Sequence, residues 1–320
     1  MPADSCVVCA SPLLPWEPHA RDAVTGETFA VLRCPRCGLG TTSPVPADLG
    51  RYYGSAYYGR RHGFTASYRC WRRFRLLARH TPSPGRLLDV GCGEGDFIAF
   101  AAERGWRAVG TELREDVPDA AAHELAVRRS TTEATALGPF DAITLWHSFE
   151  HFRDPIEELD RVVGVLADGG TLVLIVPDFG GMQATTFRRA WFHLDVPRHL
   201  FHFTRRSLVE LLESRGLAVE RIDSHEIEYD LFGWLQSALN VLLPTQNQFF
   251  DWLTGKPHTA PRWEIGVAVV LAVLLAPLAL AATAVEIVTR RGATLNVVAR
   301  KGSRARPSSS GERASGSRAA

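Results

Sequence analysis

The sequence lacks the net charge and the leader segment that would place it in several classes of protein. Its 36 lysines and arginines balance 35 aspartates and glutamates, which leaves a net charge of +1. Because so small a net charge creates no field around the whole protein, we expect no nucleic-acid partner. No secretory signal stands before Cys6. We therefore expect a cytoplasmic chain whose cysteines are reduced rather than paired in disulfides.

A glycine-rich turn also lacks one glycine of the dinucleotide-binding pattern. Residues 87–97, LLDVGCGEGDF, have the order of a buried strand, a turn and the first residues of a helix. Gly91 and Gly93 fit the pattern G-x-G-x-x-G, but its third position is not glycine, and Gly95 stands one residue early. Asp89 lies at the end of the strand, where a carboxylate would repel a pyrophosphate and attract a cation. An NAD-linked oxidoreductase is therefore a disfavoured alternative.

The series Asp89, Gly91, Gly93 and Gly95 resembles motif I of the class I S-adenosylmethionine-dependent methyltransferases. The resemblance implies that this turn and its acid hold the amino-acid part of S-adenosylmethionine. It also implies that an acid at the end of the next strand binds the ribose hydroxyls. Glu112 stands there, 21 residues after Gly91. We therefore expect a methyltransferase with S-adenosylmethionine as its cofactor.

The rest of the chain resembles the remaining strands of that family in their usual order. We predict the fourth to seventh strands at residues 140–148, 171–177, 217–227 and 293–301. Asp154 and Pro155 predict the start of the helix after the fourth strand, and Gly169–Gly170 predicts its end. The expected fold class is α/β: a seven-stranded Rossmann-like methyltransferase sheet, with a small N-terminal zinc ribbon and an apolar helical insertion between strands 6 and 7.

Four of the six cysteines form two C-x-x-C pairs near the N-terminus. Cys6 and Cys9 make the first pair, and Cys34 and Cys37 make the second. Two such pairs bring four thiolates within reach of one Zn²⁺. Because a four-cysteine site is closed, we expect this zinc to be structural rather than catalytic. A similar arrangement precedes the methyltransferase domain of sugar C-methyltransferases, and this resemblance covers only the N-terminal segment.

The insertion contains a run without any charge, residues 265–285, within residues 228–292. Its 21 residues are long enough for a bilayer span. A single crossing is excluded, because the seventh strand must return to the same sheet as the sixth. We favour two helices, at 231–243 and 263–288, that lie in the membrane interface as a monotopic anchor. The alternatives are a re-entrant hairpin broken at Pro277, a double span, or a helix buried in the core or in a dimer.

Histidines follow the predicted fourth strand, on the edge of the sheet where open α/β folds bind ligands. His147, Glu150 and His151 form the pattern H-x-x-E-H, and the two histidines would share a face if this segment were helical. Methyl transfer often requires removal of a proton from the acceptor, so His147 and His151 are candidate general bases. We expect no metal in this loop. A histidine bonded to the backbone is the equally weighted alternative.

A second group of histidines lies in residues 191–203, WFHLDVPRHLFHF. This phrase resembles relatives in which the segment closes over the site after the fifth strand. The resemblance makes His199 the third candidate base. The alternative is a structural turn fixed by an Asp195–Arg198 pair. Several arginines also lie between Arg69 and Arg79. They are interpreted either as the solvated face of a helix or as a surface that binds anionic lipid or phosphate.

These observations predict five segments along the chain. They are a zinc ribbon at 1–45, an aromatic linker at 46–67, a methyltransferase core at 68–227 plus 293–301, an apolar insertion at 228–292 and a disordered tail at 302–320. The expected reaction is methyl transfer from S-adenosylmethionine to a small-molecule acceptor of lipid-linked, isoprenoid or sugar type, at the cytoplasmic face of a membrane. A scaffold or binding protein without catalysis is the alternative from another class. The sequence predicts no oligomeric state.

Overall fold

The fold was analysed in a computed structural model, which describes residues 5–53, 63–113, 121, 125–257 and 259–302. Most of the predicted tail and part of the aromatic linker lie outside the described residues. The N-terminal strands are β1 (Leu14–Arg21), β2 (Thr28–Arg33) and β3 (Gly40–Ser43), and helix α1 (Gly63–His80) follows them. The first half of the core contains β4 (Arg86–Val90), α2 (Asp96–Ala102), β5 (Arg107–Thr111), β6 (Ala126–Arg128) and α3 (Thr131–Ala134).

The second half of the core alternates strands and helices before the insertion. It contains β7 (Phe140–Trp146), α4 (Pro155–Val165), β8 (Leu166–Pro177), α5 (Met182–Phe187), β9 (Phe201–His202), α6 (Arg205–Glu213) and β10 (Leu217–Asp223). The insertion forms α7 (Ile227–Leu242), α8 (Gln248–Leu253) and α9 (Arg262–Thr289). Strand β11 (Thr294–Lys301) follows the insertion.

Seven of these strands form one sheet in the order β10-β11-β8-β7-β4-β5-β6. Strands β8, β7, β4, β5 and β6 are parallel, and β11 inserts antiparallel between β8 and β10. The central strands are almost fully buried because helices cover both faces of the sheet. The arrangement confirms the predicted seven-stranded sheet and the return of the last strand after the insertion.

The sequence predicted where α4 begins and where it ends, and only the predicted beginning agrees with the structure. Asp154 caps its first turn, because the Oδ1 atom accepts hydrogen bonds from the amides of Ile156 and Glu157 at 3.1 and 2.9 Å. The prediction that Gly169–Gly170 ends this helix was wrong. The chain is already extended at Leu166, which pairs with Phe140, and the two glycines lie within β8.

A second sheet joins the N-terminal strands to a distant part of the core. Its order is β1-β2-β3-β9, and all of its pairs are antiparallel. Gly40 and Thr41 of β3 pair with His202 and Phe201 of β9. The cysteine-containing segment is therefore hydrogen-bonded directly to the segment that contains the second group of histidines.

The insertion is a helical hairpin. Helix α7 leaves the sheet after β10, and α9 returns to it before β11. Helix α9 is continuous through Pro277, which contradicts the alternative of a re-entrant segment broken at that proline. Its mean hydropathy reaches 2.7, yet only 22% of that apolar window is buried within the protein. The buried face of α9 packs against α7 through Ala268 and Ala272, and most of its large apolar side chains are exposed.

Candidate functional site

The glycine turn connects β4 to α2 and has backbone angles that favour glycine. Gly91, Gly93 and Gly95 have φ angles of +76°, +62° and +91°, in the left-handed region that other residues rarely adopt. A Cβ atom at Gly91 would lie 2.6 Å from the Cβ of Ser148, which follows β7. The turn therefore brings its backbone against the loop after β7 and leaves no room for a side chain.

Two carboxylates flank this turn, as the resemblance implies. Asp89 is 1% exposed and accepts a hydrogen bond from the Thr144 hydroxyl at 2.6 Å. Burial raises the pKa of Asp89 to about 7, so a cation nearby would favour its charged form. Glu112 follows β5, and its Oε2 atom accepts a hydrogen bond from the Gly93 amide at 2.9 Å. The residues present thus fit S-adenosylmethionine: Asp89 would hold its cationic amino-acid part, and half-buried Glu112 would hold its ribose hydroxyls.

The loop after β7 is not helical, so the condition under which His147 and His151 would share a helix face is not met. His147 has a positive φ of +54°, and only residues 149–151 form a short 3₁₀ turn. The His147 ring lies parallel to Tyr229 at 4.4 Å between ring centroids, and its Nε2 atom lies 2.9 Å from Glu226 Oε2. These contacts hold His147 on the side of α7.

His199 has a defined tautomer in a buried position. Its Nδ1 atom lies 2.9 Å from the carbonyl oxygen of His193, and the residue is 8% exposed. Because a carbonyl oxygen only accepts, Nδ1 donates the proton and Nε2 keeps its lone pair. Burial lowers the pKa of His199 well below its ordinary value, with a further contribution from His151. The side chain is therefore a neutral base at pH 7.

His151 lies beside His199, with 4.7 Å between their ring centroids. Its Nδ1 atom lies 3.0 Å from the carbonyl oxygen of Arg198 and 2.8 Å from the hydroxyl of Tyr53. The carbonyl again places the proton on Nδ1, and burial lowers the pKa of His151. The structure thus places His151 and His199 side by side, while His147 contacts Glu226 through Nε2 and lies 3.8 Å from Glu150 Oε1 through Nδ1.

Glu150 is the third member of the cluster that contains His151 and His199. It is 1% exposed, and neither carboxylate oxygen has a hydrogen-bond partner among the described residues. The Oε1 atom lies 3.8 Å from His199 Nε2, and burial raises the pKa of Glu150 to about 8. Ligand atoms of Glu150, His151 and His199 all lie within 4.8 Å of one another. This set could therefore hold either a shared proton or a divalent metal ion, although the sequence pattern led us to expect no metal.

The N-terminal sheet fixes the segment that contains His199. The Thr42 hydroxyl donates a hydrogen bond to the carbonyl oxygen of His199 at 2.7 Å. Arg198, which is 3% exposed, forms ion pairs with Asp22 at 2.9 Å and with Asp195 at 2.5 Å. The Asp195–Arg198 pair expected from a structural turn is present, and this same turn presents His199. Sequence reasoning missed Thr42 and Asp22, because pairing across more than 150 residues leaves no local pattern.

The four N-terminal cysteines lie close together without disulfide bonds. The sulfur of Cys6 is 3.5 Å from that of Cys37, and Cys9 is 3.4 Å from Cys34. A tetrahedral zinc site with Zn–S bonds of about 2.3 Å places its sulfurs roughly 3.8 Å apart. The donor set and its spacing therefore fit zinc. The carbonyl oxygen of Cys37 accepts a hydrogen bond from Thr204 at 2.8 Å, which ties this cluster to the start of α6.

A family model for the methyltransferase domain matches residues 61–222, which is 162 of the 320 residues and just over half of the chain. The chain belongs to this methyltransferase family, with the class I S-adenosylmethionine-dependent fold. The match confirms the predicted family, class of enzyme and S-adenosylmethionine cofactor. A solved structure from Galdieria sulphuraria, described as a sarcosine dimethylglycine methyltransferase, shares the fold with a TM-score of 0.51 at 14% identity, over 79% of this chain and 97% of its own.

Curated relatives match part of the chain. A demethylmenaquinone methyltransferase of Deinococcus radiodurans is 33% identical over 143 residues, which cover 41% of this chain and 59% of that protein. A ubiquinone biosynthesis O-methyltransferase of a Caulobacter species is 30% identical over 155 residues, covering 40% and 62%. The chain therefore spans about three fifths of the length of these relatives.

Proposed function

We propose that this protein transfers a methyl group from S-adenosylmethionine to a small-molecule acceptor and that His199 removes the acceptor's proton. One observation carries the proposal: a buried histidine with a free Nε2 lone pair lies in a cluster continuous with the cofactor turn. Ser148 links the two, because its hydroxyl donates to the Val90 carbonyl oxygen at 2.7 Å while its Cβ lies over Gly91. Glu150 follows two residues later.

The reaction needs alignment and proton removal more than covalent catalysis by the protein. S-adenosylmethionine supplies an electrophilic methyl group when it is bound. Asp89 and Glu112 orient the cofactor, and the buried cluster excludes water from the line of attack. His199 accepts the acceptor's proton at Nε2, and the Asp195 carboxylate, 4.0 Å from that atom, stabilises the imidazolium that forms. The Tyr53 hydroxyl and the Arg198 carbonyl keep His151 fixed beside it.

We further propose an acceptor of isoprenoid or lipid-linked type, met at the cytoplasmic face of a membrane. Two observations support this choice. The named relatives are quinone methyltransferases, and the helical hairpin exposes a broad apolar surface on α9. Arg262 and Trp263 at one end of α9, and Arg290 and Arg291 beyond the other, suit an interface in which both ends remain on one side.

The division into segments and the zinc ion belong to the same proposal. Residues 1–45 would form the ribbon around Cys6, Cys9, Cys34 and Cys37, with one structural Zn²⁺. Residues 68–227 with 293–301 would form the catalytic core, and 228–292 the membrane-associating hairpin. The ribbon's function would be to hold the His199 segment through β3 and β9.

Replacing Glu112 with alanine should weaken S-adenosylmethionine binding by about 10- to 100-fold, because a charge-assisted hydrogen bond contributes roughly 1.5–3 kcal/mol. Isothermal titration of the full-length protein would measure this change. Glu103→Ala is the matched control, since this acid is exposed at the end of α2 and pairs with Arg104. If the wild-type protein binds NAD and does not bind S-adenosylmethionine, the cofactor assignment is wrong.

Introducing charge on the hairpin should release the protein from membranes. Leu274 and Leu278 are 66% and 67% exposed on α9, so Leu274→Glu with Leu278→Glu should leave the fold intact and abolish flotation with vesicles. Val24→Glu, on the turn between β1 and β2 and 57% exposed, controls for the added charge. If wild type and the double variant partition equally, the anchor proposal is wrong.

A further inference from the structure

A cavity of about 210 Å³ lies between α1 and the sheet and is not used by the proposed mechanism. Its floor is a row of residues paired across neighbouring strands: Trp146 with Ile175, Ile175 with Asn296, and Asn296 with Asp223. The row runs from β7 to β10. Since neighbouring strands lie about 4.8 Å apart, Asn296 is roughly 14 Å across the sheet from β4, the strand that carries the glycine turn. The cavity therefore extends from β7, beside the strand of the cofactor turn, toward β10 at the edge of the sheet.

The wall of the cavity formed by α1 is rich in arginine. Arg72, Arg73, Arg75 and Arg79 line it, against the two acids Asp223 and Glu226. Arg72 pairs with Glu226 and Glu228, and Asp223 pairs with Arg221 outside the lining. Among the described residues, no carboxylate forms an ion pair with the other three arginines of the wall. The cavity therefore has a surplus of positive charge.

Among the residues that line this cavity, several have a buried polar atom with no partner among the described residues. These atoms are Arg73 Nε, Trp146 Nε1, His225 Nε2 and Asn296 Oδ1. The Arg73 guanidinium lies 5.1 Å from the centroid of the Trp146 ring, so these two donors are neighbours. An unpaired buried donor costs free energy comparable to a lost hydrogen bond, and four such atoms around one cavity indicate a polar ligand.

The donor or acceptor capacity of each of these atoms indicates the chemistry of the ligand. Arg73 Nε and Trp146 Nε1 can only donate, which suits anionic oxygens. Asn296 donates its amide to the His225 carbonyl at 3.0 Å, so its Oδ1 atom must accept, as it would from a hydroxyl. His225 Nδ1 lies 3.3 Å from Asp230 Oδ2, which leaves Nε2 as a further polar partner. A phosphate ester whose carbon frame carries a hydroxyl group offers partners to the two donors and to the Asn296 acceptor.

We propose that this cavity binds a hydroxyl-bearing phosphate ester, and that the phosphate belongs to the methyl acceptor. Glu226 connects the cavity to the candidate active site, because it lines the cavity and accepts a hydrogen bond from His147 Nε2 at 2.9 Å. A phosphate held under α1 would anchor the acceptor while its reactive atom extends toward His199. Assigning the phosphate to the acceptor rests on the proposed function, whereas binding of a phosphate ester to the cavity does not.

Titration of the full-length protein with glycerol 3-phosphate, with inorganic phosphate and with glycerol tests the proposal. We expect the ester to bind, inorganic phosphate to bind more weakly and glycerol not to bind. Arg73→Met should weaken the ester at least tenfold, because it removes the buried donor and its charge. Arg79→Met, at the exposed rim of the cavity, should also lower the affinity for the ester. Arg107→Met, an exposed arginine on β5, should have no effect.

A parallel titration with S-adenosylmethionine separates the possible sources of the anion. We expect its affinity to fall much less than that of the ester in Arg73→Met, because Arg73 is only one of the charges that act on Asp89, and to be unchanged in Arg79→Met. A matching loss of cofactor affinity would assign the cavity to the cofactor's carboxylate and overturn the proposal. Wild-type protein that binds no ester, or Arg73→Met that binds it as wild type does, would overturn it as well. A failure of wild type to bind S-adenosylmethionine would instead count against the proposed function.

Vesicles distinguish a lipid headgroup from a soluble ester. Phosphatidylcholine vesicles should recruit wild type and Arg73→Met equally, whether or not they contain phosphatidic acid. The reason is that the exposed hairpin governs membrane contact, while the cavity binds one acceptor molecule. Preferential recruitment of wild type to phosphatidic acid, lost in Arg73→Met, would place a bulk lipid headgroup in the cavity and contradict its assignment to the acceptor.

Discussion

Replacing His199 with alanine should lower kcat/KM by about 10²- to 10⁴-fold, the usual contribution of a positioned general base. Affinity for S-adenosylmethionine should stay within about twofold of wild type, because the proposed cofactor contacts, Asp89 and Glu112, lie on β4 and just after β5. Steady-state kinetics with labelled S-adenosylmethionine and cofactor titration would measure the two quantities separately. His19→Ala, an exposed histidine of β1, is the control for loss of an imidazole.

The pH dependence of the same reaction gives a readout that a structural role would not produce. Burial lowers the pKa of His199 well below 6.5, so the base stays unprotonated as the pH falls through 6.5. The acid limb of kcat/KM should therefore lie below pH 6.5, and free imidazole should restore part of the activity of His199→Ala. Wild-type turnover by His199→Ala would exclude this residue as the base.

Removing the zinc ion should abolish turnover and leave cofactor binding largely intact. Binding of a structural zinc contributes roughly 10–16 kcal/mol to small zinc domains, so the ribbon should unfold when Cys34 and Cys37 become serine. The pairs between β3 and β9 and the Thr42 bond to His199 would then be lost. We expect kcat to fall at least 100-fold, since displacing a catalytic group by about 1 Å can cost that much. S-adenosylmethionine affinity should change by less than threefold.

Metal analysis and a second cysteine provide the controls for this prediction. Wild-type protein should contain one zinc per chain by mass spectrometry, and the double variant none. Cys70→Ala, which removes a buried cysteine far along the chain from both pairs, should keep its zinc and its activity. Full turnover by a zinc-free protein would show that the ribbon does not position the His199 segment.

The core of the fold was predictable because its signals are local. The glycine turn, the cap at Asp154 and the apolar runs of β7 and β8 each depend on neighbours along the chain. The return of β11 to the sheet was also predictable, since a family resemblance and a topological argument agreed. Asp89 and Glu112 could be placed at the turn for the same reason: two strand ends in a parallel sheet meet at one edge.

The candidate acceptor site was only partly predictable. His151 and His199 were expected on separate loops, but their 4.7 Å approach depends on the pairing of β9 with β3. The cavity under α1 likewise combines helix residues with a row across four strands. His147 and His151 do not share a helix face, because His147 has a positive φ and interacts with Glu226 and Tyr229, which lie far along the chain.

The most direct test of the account is methyl transfer from labelled S-adenosylmethionine in an extract that contains membranes. We predict that full-length protein will place the label in a small, organic-extractable molecule, and that Glu112→Ala will place much less there at the same cofactor concentration. Mass spectrometry of the labelled product would then identify the acceptor. Label found only on protein or nucleic acid, or none at all despite measured binding of S-adenosylmethionine, would contradict the account.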